Sequence, residues 1–419
     1  MSFVALPADQ AKPARAIAPA GHWERVGAAV CLAQCSEPFF AALAQSQGLT
    51  EVPGYARIAW APVALFLIWA MRRDWPAFGG ALSRTPVLLT LFGLALISTM
   101  WSIDPGASFR RATWLMLTMS FGFYLAGRYR WRDLLEIAAT SWIFLIVGSA
   151  VIAIAAPAIG VMAVEHPGAW SGLWTHKNTL GGFMALGVAI GCAAFLATQK
   201  KIWLGVAFAS FLLVLMSTSK TALLASFLQI AVMMFSMIAR RGPMHALIVM
   251  TLAAAGAIIG ATLMLTAPEL IVTAIGRDLT FTGRTDIWGA VEHALEARPW
   301  FGYGYSVFWL DDAGPAYAVR TAVNWEVPSA HNGWLELALS IGWIGVALFV
   351  VQLIATTLRA LGALARSPAG IWAPAFLAAF ALYTMSESHI LEANNLFWTL
   401  YVCAAARLAL DARESDKSA

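Results

Sequence analysis

Gly283-Arg284-Thr285-Asp286-Ile287-Trp288 and His331-Asn332-Gly333-Trp334-Leu335-Glu336 bracket a polar stretch whose two ends both read as helix starts. After Arg284, the apolar residues Ile287, Trp288, Val291 and Leu295 recur at helical spacing as far as Arg298-Pro299, a stripe suited to lying along a membrane surface. After His331, Leu335, Leu337 and Leu339 carry a second helix into a long apolar run. Between them lies Pro299-Trp300-Phe301-Gly302-Tyr303-Gly304-Tyr305. Connectors between apolar helices are ordinarily short, so a loop from Ala267 to Ala330 that carries Arg, His and aromatic residues calls for a chemical reason.

The surroundings of that loop set the class. Hydrophobic residues make up 60% of the 419 and charged residues 12%, about half the charged share of a soluble domain. Apolar runs near the length that crosses a bilayer recur along the chain. Twelve are read, at 26–44, 57–72, 86–101, 109–127, 134–160, 179–198, 202–217, 221–239, 245–266, 333–357, 371–388 and 394–410. The expected organisation is an all-α polytopic membrane protein of about 12 spans. A cytoplasmic leader at 1–25 precedes spans one to nine at 26–266. An outer loop with a surface helix follows at 267–332, then spans ten to twelve at 333–410 and a tail at 411–419. Ala42-Leu43-Ala44 before Gln45 resembles a signal-peptidase site, but the Pro- and Ala-rich leader is long for a signal peptide, and the first segment is read as a retained helix.

With the N-terminus in the cytoplasm, 18 of the 27 Lys and Arg residues fall inside, the bias that retains loops there. The other nine are Arg57, Arg110, Arg111, Lys177, Lys220, Arg277, Arg284, Arg298 and Arg320. A net charge of +4 therefore encodes orientation, and nucleic acid is not an expected partner. The four cysteines lie in or beside apolar runs and read as small buried hydrophobes. The polar groups capable of chemistry collect in outer loops, where ATP is not expected, and no nucleotide-binding fingerprint occurs. Any energy must arrive in an activated substrate.

Each candidate has a plain and a chemical reading. Arg284 at a helix start joins a guanidinium fork to free backbone N–H groups, a fit for a phosphate-type anion, or it pairs with Asp286 or lipid headgroups. His331 is either interfacial or a base kept neutral by nearby cations, with Asn332 beside it. In Trp174-Thr175-His176-Lys177-Asn178 the indole suits a sugar face and Lys177 a phosphate, or the residues are interfacial anchors. Lys220, in the short hairpin Ser217–Thr221, sits at the membrane surface for a purpose or snorkels to lipid. Arg110 and Arg111 run against the charge bias, which makes them candidates for substrate contact. Glu387, with Asn394 and Asn395, either hydrogen-bonds an acceptor sugar or pairs with those cations. Neither paired His or Cys ligands at zinc spacing nor an outer Asp-x-Asp is present, so no metal or other cofactor is expected.

These motifs together resemble the O-antigen ligase and polymerase superfamily. Gly283–Trp288, Arg298–Gly304 and His331–Leu337 carry the likeness. Trp101–Pro105, Trp174–Asn178, Ser219-Lys220-Thr221 and Glu387–Asn395 are similar to its exopolysaccharide-production branch. The resemblance covers roughly residues 85–405. It implies a GT-C-type membrane glycosyltransferase with one large periplasmic loop, in the bacterial inner membrane. Such an enzyme acts without a metal on an undecaprenyl-diphosphate-linked glycan donor and a glycan acceptor, with a flippase and a chain-length regulator as expected partners. It assigns His331 as catalytic base and Arg284 as diphosphate ligand. Lys220 stands where the family has an arginine, keeping the charge but not the bidentate fork. The expected reaction is inverting polymerisation of repeat units. The alternatives are a ligase that moves the glycan to lipid A-core or another acceptor, and a transporter of lipid-linked oligosaccharide. A transporter would show repeated halves and mid-bilayer charges.

Overall fold

The computed structural model describes residues 20–38, 58–266, 284–310, 314–364, 367 and 369–416. Gly283, Arg277, Asp311-Asp312, the leader before residue 20 and the Ala42–Gln45 site lie outside these residues. The described chain is helical, with one isolated bridge between Val161 and Trp170 and no strand. Its α-helices are α1 His22–Gln34, α2 Ala61–Arg73, α3 Trp75–Ser83, α4 Pro86–Ile97, α5 Pro105–Arg128, α6 Trp131–Ala155, α7 Pro157–Gly160 and α8 Lys177–Thr198. They continue as α9 Ile202–Met216, α10 Lys220–Ala239, α11 Pro243–Thr266, α12 Arg284–Glu296, α13 Pro315–Val323, α14 Gly333–Gly362, α15 Ala369–Thr384 and α16 Leu396–Asp416. Helix starts follow local chemistry. Proline, which lacks the N–H that a first turn cannot use, opens α4, α5 and α13. Asp104 accepts from Ala107 N (2.9 Å) to cap α5, and Asn332 accepts from Trp334 N (3.0 Å) to cap α14.

Every one of the twelve apolar segments overlaps a helix, but their lengths differ. By length and composition α6, α8, α10 and α14 can each cross a membrane. The helices α3 and α4, with the 3-10 turn to Met100, meet at 88° and pass the same test only together, as a broken span or a re-entrant loop. The helices α9 and α15 are shorter apolar rods. The sequence reading passed over α3 altogether and took 86–101 as a free-standing span. The chain bends at Arg84-Thr85-Pro86 because the proline ring cannot continue the helix before it.

The helices pack through aromatic residues and through small ones that let backbones approach. Trp142, Phe349, Phe376, Phe380, Trp398 and Tyr401 are almost wholly buried. At Gly191 any Cβ would stand 2.6 Å from Ala207 N, so glycine sets the distance between α8 and α9. Basic residues assigned to the inner side find acids on neighbouring helices. Arg128 donates from Nε to Glu24 Oε1 (2.6 Å) with both side chains buried, and Arg25 and Lys200 lie 2.9 Å and 2.6 Å from Asp133 and Glu136.

The described part of the long loop, residues 284–310 and 314–332, is a folded body. Ile287, Val291 and Leu295 of α12 are buried with Tyr303, Phe308 and Val319 against Leu335 and Leu339 of α14. Its attachment depends on a break in α14, where Ile341 (φ −136°) and Gly342 (φ +74°, ψ −179°) leave helical geometry. In an unbroken helix Trp343 N would donate to Leu339 O. Here Trp343 N donates to Pro299 O (2.8 Å), while Leu339 O accepts from Tyr303 N (2.7 Å) and Ser340 O from Gly304 N (3.1 Å). The Pro299–Gly304 segment thus replaces the bonds that the helix gives up. A Cβ at Gly342 would overlap the Trp300 carbonyl. Gly342→Ala is expected to cost about 3 kcal/mol from left-handed strain and lost docking. Unfolding of the purified variant in detergent checks this, and wild-type stability would contradict it.

Candidate functional site

Arg284 is the first residue of α12 and turns its guanidinium toward the turn after α15. Its Nη1 donates to Ser386 O (2.8 Å), and its Nη2 lies 3.6 Å from Glu387 Oε1. The other carboxylate oxygen, Oε2, lies 3.7 Å from His331 Nδ1, an ion-pair separation longer than a hydrogen bond. One carboxylate therefore stands between the guanidinium and the imidazole. Burial by itself would raise the Glu387 carboxyl, but His331 and Arg284 outweigh it and hold the group below the ordinary carboxylate value.

His331 is held by its neighbours. It adopts φ +48°, between a fixed peptide and a helix cap. Ala330 N donates to Glu336 Oε1 (2.5 Å), which also accepts from Trp309 Nε1 (2.9 Å), and Ala330 O accepts from Trp288 Nε1 (3.0 Å). The Trp325 ring lies parallel to the imidazole, 6.4 Å away. Nδ1 is buried without a hydrogen-bond partner among the described residues and faces the Glu387 carboxylate at 3.7 Å; a proton placed on Nδ1 would leave Nε2 the lone pair a base needs.

Glu387 and Arg284 line a cleft with Asn178, Thr179, Gly182, Phe183, Ser219, Thr221, Tyr383, Ser386, His389 and Phe397. Three helix N-termini reach this cleft: α8 through Asn178 and Thr179, α10 through Ser219 and Thr221, and α12 through Arg284. Each helix start carries the equivalent of roughly half a positive charge. Ser219 Oγ donates to Asn178 Oδ1 (2.9 Å) and ties two of them together. Segments far apart in sequence thus meet here.

The other expected site residues have different places. Lys177 and Lys220 are the first residues of α8 and α10, one half-buried and one exposed, beside lining residues but not among them. Arg110 is exposed, whereas Arg111 donates from Nη1 to the carbonyl and Oγ of Ser306 and so braces the long loop. Trp174 is buried, packs on Phe183 (4.9 Å) and donates from Nε1 to Ser36 O (2.7 Å). Its indole thus belongs to the core and not to the cleft lining. Asn332 serves as the cap of α14. His176 caps α8, with Nδ1 accepting from Asn178 N (3.2 Å), and burial lowers its affinity for a proton.

Sequence reasoning missed Gly182, Phe183, Tyr383, His389 and Phe397. Four of them lie within or beside apolar runs, and only the polar outer hairpin around His389 offered a signal. It also missed that Glu165, His166 and His176 come within ligand-sharing distance of one another, 4.8 Å or less. While His176 Nδ1 accepts the capping N–H, Nε2 carries the proton toward Glu165 Oε2 (3.8 Å), which denies a metal that lone pair.

The lowered Glu387 value gives a pH signature. Its stabilising effect is fully present above the unfolded carboxyl value of about 4.3 and is lost as pH falls through the lower folded value. The stability gap between wild type and Glu387→Gln should therefore be constant above that range and shrink below it. Thermal unfolding across pH measures this, and a gap that does not change with acidification would contradict the placement of Glu387.

With this geometry in hand, two similarities carry information. Residues 205–350 match the sequence profile described as O-Antigen ligase. The exopolysaccharide production protein ExoQ of Rhizobium meliloti (strain 1021) is 29% identical over 196 residues, 44% of this chain and 45% of that protein. The matched region spans less than half the length of that relative. Both findings bear out the resemblance that the motifs carry, to the O-antigen ligase and exopolysaccharide-production group. The helical, apolar architecture agrees with an integral bacterial membrane protein of that kind.

Proposed function

We propose that this protein is a glycosyltransferase of the bacterial inner membrane that polymerises undecaprenyl-diphosphate-linked oligosaccharide repeat units, with its cleft open to the periplasm. The observation that carries the reading is the convergence of three helix N-termini, Arg284 among them, on one cleft also lined by Glu387, whose carboxylate lies 3.7 Å from His331 behind the lining. A diphosphate leaving group needs positive charge that is already in place, and helix starts plus a guanidinium supply it. Lys177 and Lys220, on the first turns of α8 and α10, add to that field.

In the proposed reaction His331 Nε2 takes the proton of the acceptor hydroxyl while that oxygen attacks the anomeric carbon. The bond from that carbon to the diphosphate oxygen breaks, and undecaprenyl diphosphate departs with the electron pair. Attack opposite the leaving group inverts the anomeric centre. Glu387 keeps the imidazole in the tautomer that presents Nε2 and stabilises the cation formed. The donor arrives activated, so no nucleotide is consumed. A flippase would deliver it, and a chain-length regulator would act on the product.

The match to the O-Antigen ligase profile favours a second reading, transfer of the finished glycan to lipid A-core or another acceptor. The two share the site and differ in the acceptor. Purified lipid-linked repeat unit, given alone to the protein in nanodiscs, separates them: a polymerase elongates it and a ligase does not. Elongation by wild type should fall at least about a hundredfold in His331→Ala and in Arg284→Ala. Full elongation by a correctly inserted His331→Ala protein would remove the base assignment.

A further inference from the structure

One wall of the cleft has no role in the chemistry above. Tyr383 is 4% exposed, and its hydroxyl has no hydrogen-bond partner among the described residues, although the residue lines the cleft. A buried polar atom left in that state is unfavourable unless something else satisfies it. Beside it stands Gly182, where a Cβ would lie 3.5 to 3.8 Å from Tyr383 Cε1, Cζ and Oη. The missing side chain keeps space open next to the hydroxyl.

His389 continues the same wall. Its ring stacks on Phe397 (4.1 Å, 13°) and meets Tyr383 edge-on (6.3 Å, 72°). The hydrogen bonds behind it fix its tautomer. Asn395 Oδ1 accepts from Trp398 N (3.0 Å), so the amide orientation is set and Nδ2 faces Glu392 Oε2 (2.5 Å) and His389 Nδ1 (3.0 Å). An amide N–H can only donate, so Nδ1 accepts and Nε2 carries the proton. His389 thus offers an N–H from Nε2; its Nδ1 also lies 3.8 Å from Glu392 Oε2, beyond hydrogen-bond reach.

We infer that Tyr383 and His389, with Gly182 leaving the room, form a subsite for a sugar ring of the lipid-linked glycan and hydrogen-bond its hydroxyls. This rests on the proposed function. A sugar hydroxyl fits better than a phosphate oxygen, because the two side chains are uncharged donors in this tautomer, Tyr383 can also accept, and the Glu387 carboxylate lines the same cleft. These are specificity-determining contacts, separate from the cationic elements assigned to the diphosphate.

Binding of two probes to the full-length protein in nanodiscs tests the assignment. One is undecaprenyl diphosphate without sugar, and the other is the same lipid carrying its oligosaccharide. Tyr383→Phe, His389→Phe and Gly182→Ala should each weaken the glycosylated lipid about tenfold and leave the bare lipid unchanged. His389→Gln, whose amide nitrogen stands near the position of Nε2, should restore most of the loss. Gly182→Ala introduces no contact closer than 3.5 Å and suits a helix, so it reports on the subsite even where another variant fails to fold. Unchanged binding of the glycosylated lipid in Tyr383→Phe and Gly182→Ala would overturn the subsite, as would equal weakening of both lipids. Arg284→Ala should lose both probes, and if wild type bound neither, the proposed function itself would fall along with the subsite.

Discussion

An apolar surrounding leaves no water for stray backbone groups, so any helix that breaks inside it must find replacement partners within the protein. In this chain that constraint acts at Ile341-Gly342, where α14 opens and Pro299, Tyr303 and Gly304 supply the missing bonds. The contact does more than repair a helix. It fastens the body that carries α12, and with it Arg284, to the helix whose cap follows His331. Arg111 on Ser306 and Trp101 Nε1 on Phe301 O (2.9 Å) fasten the same body to the α5 side. The candidate base and the candidate anion ligand are thus held relative to one another by the docking of this body as well as by the contacts of Arg284 to Ser386 and Glu387.

Within that frame a single carboxylate organises the charges. Glu387 lies between Arg284 and His331 and lines the cleft toward which three helices aim their N-termini. An anion entering the cleft would meet preset dipoles that need no reorganisation, which is the arrangement that favours charge developing on a leaving group. The peptide that precedes His331 is fixed by a separate network, Glu336 with Ala330, Trp309 and Trp288. Site geometry and loop docking are therefore two consequences of one packing arrangement.

The helices were legible in the sequence because apolar runs are simple signals, although by length and composition four of the described helices, or five with the bent pair, rather than twelve can cross a membrane. Apolar runs gave a helix at each of the twelve positions, and the apolar stripe after Arg284 gave α12. Sorting basic residues between two sides put Arg284, Glu387, Asn178 and His331 in outer loops, and the fold brings them together. What was hidden depends on tertiary contact. The bend between α3 and α4 and the break at Gly342 leave hydropathy unaltered, although Pro86 and Gly342 mark them in hindsight. Tyr383, Phe183 and Gly182 look like any span residues until the turns of the bundle show which face the cleft. Trp174 and Arg111 carry the same chemistry as site residues, yet the fold uses one to fill the core and the other to brace a loop. Nothing in their side chains distinguishes those uses.

The account rests on Arg284, Lys220 and His331 sharing one side of the membrane. Single cysteines at 331, 220 and 284, in a protein whose native Cys31, Cys35, Cys192 and Cys403 are replaced, can be probed with a thiol reagent that does not cross the inner membrane. All three positions should react from the periplasmic side in intact cells with a permeabilised outer envelope. Reaction of position 331 from the cytoplasmic side only, with 220 and 284 labelled from outside, would contradict it.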